Sequence, residues 1–274
     1  GTIEALGNST ASVTSSTPSV QIVALNIENF VTITPGGTLG TAFYNGDETP
    51  ASTGTGFTPA QIVAAYSGGA PGTAIAIDIG TSTIEGTSVP SLDNAGVIQA
   101  TATTTDKTIT SLSAFAIIDN SGTLLNILNE STGVISAGVT NLKNNEQVSR
   151  AIDLESANDN ITITNNGKIN GDVLLGAHSD TVTVAGTPAT APASITGAIY
   201  FGGNDGTNPD VLTVGSNGTV NSAILNNTGD YIAIHVENAG TLDILNNGTM
   251  PFTYATTPAG GEMPAGIAPG VNVT

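Results

Sequence analysis

Short apolar segments separated by turn residues follow one another along most of the chain. Most segments are four to six residues long and rich in Val, Ile and Thr, as strands are. They occupy residues 20–25, 74–79, 114–118, 161–163, 181–184, 211–214 and 231–236. The spacing of an amphipathic helix is nearly absent. The pattern therefore predicts an all-β protein.

One segment favours a helix. Thr58 is a suitable N-cap and Pro59 occupies the first helical position. Gly68 and Gly69 would stop the helix soon after Tyr66. We therefore expect a short helix near residues 58–66.

A local pattern of Asn, at most one intervening residue, Gly, one further residue and an aliphatic residue recurs between the strands. It occurs at residues 94–98, 120–124, 166–169, 217–220 and 238–242, with a looser copy at 129–135 and a truncated one at 247–250. Because Gly and Asn tolerate positive φ, they would form corners at which the chain leaves one sheet for the next. The aliphatic residues would then point inward and stack between coils.

The spacing of the glycines indicates a parallel β-solenoid. Gly122 and Gly133 are 11 residues apart, as are Gly218 and Gly229. Such a unit is about half of a coil of twenty-odd residues. An antiparallel sandwich or barrel also has short strands and Asn-Gly turns. The repeat lacks paired hairpin arms, which favours the solenoid.

Four regions follow from these patterns. Residues 1–40 are expected to form N-terminal strands or a cap. Residues 41–69 are expected to form an aromatic-containing loop insertion with the short helix, and residues 70–250 the solenoid. Residues 251–274 are rich in Pro and Gly and are expected to form a linker or tail.

Composition excludes several classes of protein. The 274 residues carry a net charge of −18, which disfavours contact with nucleic acid or anionic lipid. Only 9% of residues are charged and 39% are hydrophobic, so the chain is not an acidic disordered segment. The absence of Cys excludes disulfides, thiol catalysis and cysteine-bound zinc. No apolar run approaches the roughly 18 residues of a spanning helix, so we expect no membrane insertion by this chain.

Residues 68–250 contain short sequence segments that resemble the passenger region of autotransporters, especially those of alphaproteobacteria. These segments are residues 74–80, 91–100, 116–124, 151–154, 169–176, 195–203 and 240–242. The resemblance implies a right-handed parallel β-helix carried to the bacterial cell surface by a C-terminal outer-membrane barrel. The resemblance does not specify an activity, because many such passengers serve as adhesins and some carry enzymes. We expect a non-enzymatic adhesin or structural module that contacts host, abiotic or sister-cell surfaces. Because the chain ends without the alternating ten-residue strands of such a barrel, we expect the passenger alone.

Two other functions stay open. The open ends of a solenoid could join into a homo-oligomer, as in an extracellular filament or a surface-layer subunit.

Alternatively, the chain could be a polysaccharide-active β-helix enzyme. Asp153 and Glu155 share a strand face, and stacking could bring Asp119 or Asp93 beside them. His178, Ser179 and Asp180 are the residue types of a hydrolase triad, but consecutive strand residues face opposite sides. We therefore predict no catalytic residue.

Calcium is the one cofactor that the sequence indicates. Residues 202–206 followed by Asp210, and residues 176–182, resemble degenerate copies of a calcium-binding Gly-Gly-x-Gly-x-Asp-x-aliphatic repeat. Asp180, Asp205 and Asp210 are the candidate ligands. The alternative is that they form Asx turns between coils.

Four aromatic residues cluster before the predicted solenoid. Phe43, Tyr44, Phe57 and Tyr66 lie within the insertion of residues 41–69. An aromatic loop on a rigid scaffold is a candidate binding patch. The alternative is that the rings cap the open end of the solenoid.

Overall fold

A computed structural model describes the chain over residues 2–9, 20–27, 43–46, 60–80, 87–104, 106, 109, 111–141, 147–186, 192–202, 208–221, 223–224, 231–232, 234–236, 242–246 and 271–273. In these ranges every regular element is a strand and no helix occurs. The same ranges therefore contain no helix long and apolar enough to cross a bilayer. The prediction of an all-β protein is confirmed.

Most strands belong to three parallel sheets. Sheet 1 contains β1 (Thr2–Ser9), β4 (Gln61–Gly68), β7 (Val97–Thr104), β10 (Val134–Asn141), β13 (Lys168–Asn170), β16 (Ala193–Thr196) and β19 (Gly218–Asn221). Sheet 2 contains β2 (Val20–Ile27), β5 (Gly72–Ile79), β8 (Leu112–Asp119), β11 (Gln147–Asp153), β14 (Asp172–Leu174), β17 (Ile199–Phe201) and β22 (Ile234–Val236). Sheet 3 contains β3 (Phe43–Asn45), β6 (Ser91–Asn94), β9 (Asn126–Asn129), β12 (Thr162–Asn165), β15 (Thr181–Val184), β18 (Asp210–Val214), β23 (Leu242–Asn246) and β24 (Val271–Val273).

The chain visits the three sheets in turn, and each visit to all three makes one coil. Each strand from β1 to β16 pairs in parallel with the strand three places later in the sequence. β17 pairs with β22, and β18 pairs with β23. After β19 an antiparallel pair, β20 (Ala223–Ile224) and β21 (Tyr231–Ile232), precedes the return to sheet 2 at β22. This order is that of a β-solenoid, and the parallel pairing excludes a sandwich of antiparallel hairpins over these strands.

The predicted helix near residues 58–66 is wrong over the residues that the structure describes. Residues 61–68 form β4, in which Ile62, Ala64 and Tyr66 are buried at alternate positions. β4 hydrogen-bonds to β1 on one edge and to β7 on the other. Two rows of ladder hydrogen bonds and a buried alternate face outweigh a local helix-start signal. The solenoid therefore already includes strands of the regions predicted to be a cap and an insertion.

The predicted coil length is also wrong. Gly122 and Gly133 flank β9, so their 11-residue spacing measures one of three sides rather than half of a coil. Val97 pairs with Val134, and Ser194 pairs with Thr219. Coils in this part of the chain thus take about 25 to 37 residues, within the usual range for repeat proteins.

The core consists of aliphatic columns that run from coil to coil. The column of sheet 1 contains Ile62, Ile98, Ile135, Ile169, Ile195 and Val220. The column of sheet 2 contains Ile77, Ile117, Ile152, Val173, Ile199 and Ile234. All of these side chains are buried. Each contributes about 1.5–3 kcal/mol by leaving water. The predicted inward stacking of the aliphatic residues is confirmed.

Candidate functional site

Four buried asparagines form a ladder at the corner between sheets 3 and 1. Asn45, Asn94, Asn129 and Asn165 end successive strands of sheet 3 and lie in register. Nδ2 of Asn94 donates to Oδ1 of Asn129 at 2.8 Å. Nδ2 of Asn129 donates to Oδ1 of Asn165 at 2.8 Å, and Asn165 donates to the carbonyl of Ser194 at 2.9 Å. The amides are therefore committed to the scaffold.

Close approach of these side chains explains the glycines that follow them. At Gly133 a Cβ would lie 2.2 Å from Oδ1 of Asn129 and 2.3 Å from the carbonyl oxygen of Asn94. Gly96 and Gly167 are similarly crowded by backbone oxygens. None of the three has a positive φ. The expectation that glycine provides a left-handed conformation is therefore wrong at this corner.

The corner between sheets 2 and 3 is built differently, around the buried carboxylate of Asp119. Its Oδ1 accepts the amides of Ser121 at 2.9 Å and Gly122 at 3.2 Å, and its Oδ2 accepts the amide of Leu124 at 2.7 Å. Gly122 has a φ of 69°, as predicted for a corner glycine. Both oxygens of Asp119 thus stabilise its own turn.

The carboxylate pair considered for polysaccharide cleavage is bound by one arginine. Nη1 of Arg150 lies 2.6 Å from Oδ2 of Asp153 and 3.0 Å from Oε2 of Glu155. The Arg150 guanidinium also lies 5.9 Å from the centroid of the Phe115 ring. Asp153 is nearly buried, whereas the Glu155 side chain is 58% exposed. The expectation that Asp153 and Glu155 share a strand face is wrong, because β11 ends at Asp153 and Glu155 lies in the turn after it. The geometry is that of an ion-pair network, and Asp93 lies on a different sheet.

Ser179 and Asp180, two of the three residues considered for a hydrolase triad, hydrogen-bond to different backbone groups. Oγ of Ser179 donates to the carbonyl of Asn208 at 2.7 Å. Oδ1 of Asp180 accepts the amide of Ile161 at 2.8 Å. His178 lies half-buried just before them in the chain. Ser179 and Asp180 therefore do not form the nucleophile–base chain of a triad.

Two of the three calcium candidates are stacked one coil apart. Asp180 and Asp210 directly precede residues that pair in β15 and β18, and both are at most 1% exposed. Asp205 lies outside the described residues. Burial raises the pKa of Asp180 to about 7; the hydrogen bond from the amide of Ile161 opposes this increase and the charge of Asp210 contributes to it. Burial also raises the pKa of Asp210, to about 6. Among the described residues, no group of three or more His, Cys, Asp or Glu side chains could hold a metal ion.

The candidate aromatic patch is divided between core and surface. Tyr66 is 1% exposed and its hydroxyl donates to the carbonyl of Ala70 at 2.7 Å. Phe43 packs half-buried against the core at the first coil, and Tyr44 is half-buried next to it. Phe57 lies outside the described residues. Tyr66 is thus a core residue and is not available to a ligand at the surface.

The sequence did not single out the residues of one uncharged outer face on sheet 3, which we call the threonine face. It comprises the outward positions of β9, β12, β15 and β18: Asn126, Leu128, Thr162, Thr164, Thr181, Thr183, Val211 and Thr213. Thr162 pairs with Thr181, and Thr183 pairs with Thr164 on one side and with Thr213 on the other. Parallel strands place such side chains about 4.8 Å apart across the sheet and about 6.7 Å apart along it. The Thr-x-Thr spacing in β12 and β15 was the available signal.

The threonine face carries no charge although the whole chain has a net charge of −18. Its hydroxyl groups stand in rows on a sheet whose other side is the core, so the rows are held by the backbone pairing beneath them. Such an array can offer hydrogen bonds and methyl contacts to a neutral surface, and covering its hydroxyl groups costs less than covering charged groups would.

Comparisons of this chain with protein-family models, with curated proteins and with solved structures found no match.

Proposed function

We propose that this chain is a non-enzymatic adhesive or structural module of the bacterial cell surface, built as a right-handed parallel β-helix. The right-handed sense follows the rule for parallel strands joined by a crossover in the same sheet. The extracellular location and the export as an autotransporter passenger rest on the sequence resemblance. Host, abiotic and sister-cell surfaces are the proposed partners.

The threonine face is the observation that carries this proposal. It extends over four coils without a charged side chain, and it lies on strands that stack on a continuous core. By contrast, the amides of the asparagine ladder and the carboxylate of Asp119 are bound at corners, and Asp153 is bound to Arg150. A rigid scaffold with a neutral, hydroxyl-rich face is suited to repeated weak contacts with an extended surface.

The test is a binding assay with a matched pair of variants. Beads coated with the purified chain are offered to glass, to cultured epithelial cells and to each other. In one variant Thr164 and Thr183 of the threonine face become Val, which removes two hydroxyls and keeps the side-chain shape. In the control, Thr101 and Thr103 of sheet 1 become Val.

We expect the unmodified chain and the sheet 1 control to bind one of these surfaces, and the threonine-face variant to bind it several-fold less. Equal binding by all three proteins would remove the threonine face from the proposal. Release of reducing sugar from a panel of glycans by the unmodified chain would contradict the non-enzymatic role.

A second function, self-assembly through solenoid ends, is favoured by β1. Ile3 aligns with the core column at Ile62 but is 44% exposed, and the nearby Leu6 is 68% exposed. Among the described strands, β1 pairs only with β4, so one edge is open to another strand. Negative-stain images of the purified chain would show filaments, and an Ile3→Lys, Leu6→Lys variant would show separate particles. Separate particles in the unmodified chain at high concentration would exclude this function.

A further inference from the structure

Two carboxylates interrupt an otherwise aliphatic inward column of sheet 3. The column runs two residues before the main core column, and it contains Leu125, Ile161, Asp180 and Asp210. Asp180 and Asp210 are therefore neighbours, and Ile161 lies on the other side of Asp180. Their exposed fractions are 1% and 0%.

Each carboxylate uses one oxygen to hold the preceding coil. Oδ1 of Asp180 accepts the amide of Ile161 at 2.8 Å, and Oδ1 of Asp210 accepts the amide of Asp180 at 2.8 Å. The Oδ2 atoms of Asp180 and Asp210 are both buried and both lack a hydrogen-bond partner. A buried carboxylate oxygen without a partner is costly, and here two occur in adjacent layers of one column.

No basic side chain of the described residues compensates these two groups. The ion pairs in the described part of the chain are those of Arg150, which lies on sheet 2 and binds Asp153 and Glu155. In the sequence, His178 lies two positions before Asp180, and Asp205 lies five positions before Asp210, outside the described residues. Asp159 precedes Asn160, whose Oδ1 accepts the amide of Ser179 at 3.2 Å. The corner thus contains carboxylates, a hydroxyl, an amide and carbonyl groups.

We propose that Asp180 and Asp210 bind one divalent cation through their Oδ2 atoms, and that this ion joins the coil of β15 to the coil of β18. The donors are hard oxygens, which suit calcium rather than a transition metal. Two carboxylates give a low ligand charge, so the expected dissociation constant is about 10⁻⁴–10⁻³ M, the range of extracellular calcium modules. The Oδ1 atoms keep their amide bonds and fix the orientation of the carboxylates.

A carboxylate binds a cation in its deprotonated form, so cations and protons compete for this pair. Each coil of a solenoid contacts only its neighbours, so the ion stabilises one junction rather than the whole molecule.

Isothermal titration calorimetry of the full chain with CaCl2 and with MgCl2 tests the proposal. The titrations are repeated at pH 7 in two buffers that differ in their enthalpy of ionisation. We expect one calcium site, weaker binding of magnesium, and a buffer-dependent heat that reports proton release. Calcium is also expected to raise the midpoint of thermal unfolding by several degrees relative to EGTA.

Two variants decide whether the site is the one proposed. Asp180→Asn and Asp210→Asn keep an Oδ1 acceptor for the backbone amides, so both are expected to fold. Each is expected to lose at least tenfold in calcium affinity and to lose the thermal shift. Asp172→Asn is the control, because it removes one charge from a carboxylate that also accepts a backbone amide, that of Ala198 at 2.9 Å.

Three outcomes would overturn the proposal. The first is calcium binding that Asp180→Asn and Asp210→Asn leave unchanged. The second is an equal loss in the Asp172→Asn control, which would indicate a general effect of net charge. The third is the absence of calcium binding and of a calcium-dependent thermal shift in the unmodified chain.

Discussion

Nδ2 of Asn94 donates a hydrogen bond of 2.8 Å to Oδ1 of Asn129, although the two residues are 35 positions apart in the chain. Both side chains are fully buried. The bond repeats above and below, so each amide both donates to and accepts from a neighbouring coil. The ladder therefore fixes the register of sheet 3 where the chain turns toward sheet 1.

Replacement of Asn129 by Ala should lower the free energy of unfolding by about 1–3 kcal/mol. The change removes both ladder bonds, while Asn94 keeps a contact to the carbonyl of Gly96 at 3.2 Å and Asn165 keeps one from the amide of Gly167 at 3.2 Å. Urea unfolding measures the loss. Asn166→Ala, a half-buried position next to the ladder, should change stability by no more than about 0.5 kcal/mol. A similar loss in both variants would mean that the ladder has no special role.

Replacement of Gly133 by Ala should destabilise the protein, whereas replacement of Gly138 by Ala should not. The Cβ at Gly133 would clash with Asn129 and with a backbone oxygen, but the Cβ at Gly138 meets nothing within 4 Å. Overpacking costs about 1–3 kcal/mol, and a tolerated Gly→Ala change adds about 0.4–1 kcal/mol of stability. The midpoints of urea unfolding compare the two variants. A tolerated Gly133→Ala would show that the corner can open without cost.

Asp93 should make the protein less stable as the pH rises through about 6. Burial raises the pKa of this carboxyl group to about 6, and the charge of Glu130 contributes to the increase. Because the folded state holds the proton more tightly than the unfolded state, this stabilisation is present below about pH 4. It is lost as the pH rises through the folded-state pKa. Oδ1 of Asp93 also lacks a hydrogen-bond partner, which adds to the cost of the charge.

The measurement is thermal unfolding of the unmodified chain and of Asp93→Asn between pH 4 and 8, in EGTA. We expect similar stability at pH 4 and a more stable variant at pH 8. Glu130→Gln should shift the profile in the same direction by a smaller amount, because burial is the larger cause. Parallel profiles for the unmodified chain and Asp93→Asn would contradict the raised pKa.

The two ion pairs of Arg150 should differ in strength. The Asp153 side chain is 8% exposed and that of Glu155 is 58% exposed, so water screens the second pair more strongly. Double-mutant cycles with Arg150→Met should give a coupling of about 1–2 kcal/mol for Asp153 and at most about 0.5 kcal/mol for Glu155. Repetition in 1 M NaCl should weaken the Glu155 coupling more. Equal couplings would indicate that exposure does not control these pairs.

The residue patterns were sufficient to predict the fold class but not the number of residues in each coil. The short β-branched segments and the recurring Asn and Gly predicted parallel strands joined at repeated corners, and the inward aliphatic positions were correctly placed. The coil length was wrong because two glycines of one coil, Gly122 and Gly133, imitate a repeat. Coils of unequal length hide the true period, since each register depends on pairing between residues far apart in the sequence.

The candidate sites show the same division. The sequence placed Asp180 and Asp210 in similar local motifs, but only the stacking of β15 on β18 made them neighbours. The sequence analysis placed Tyr66 in an aromatic loop. In the structure β4 pairs on both edges, and the Tyr66 ring is buried in the core. The threonine face likewise exists only because β12, β15 and β18 stack in register.

By itself, the sequence determined the local preferences of this protein: extended segments, corner residues, an uncharged polar surface and a large negative charge. Tertiary structure alone decided which side chains meet, from the bond between Asn94 and Asn129 to the stacked pair of Asp180 and Asp210. The physical reason is that a solenoid forms its lateral contacts between successive coils. Loops of variable length separate these contacts in the sequence, and the hydrogen-bonded register of the sheets brings them together.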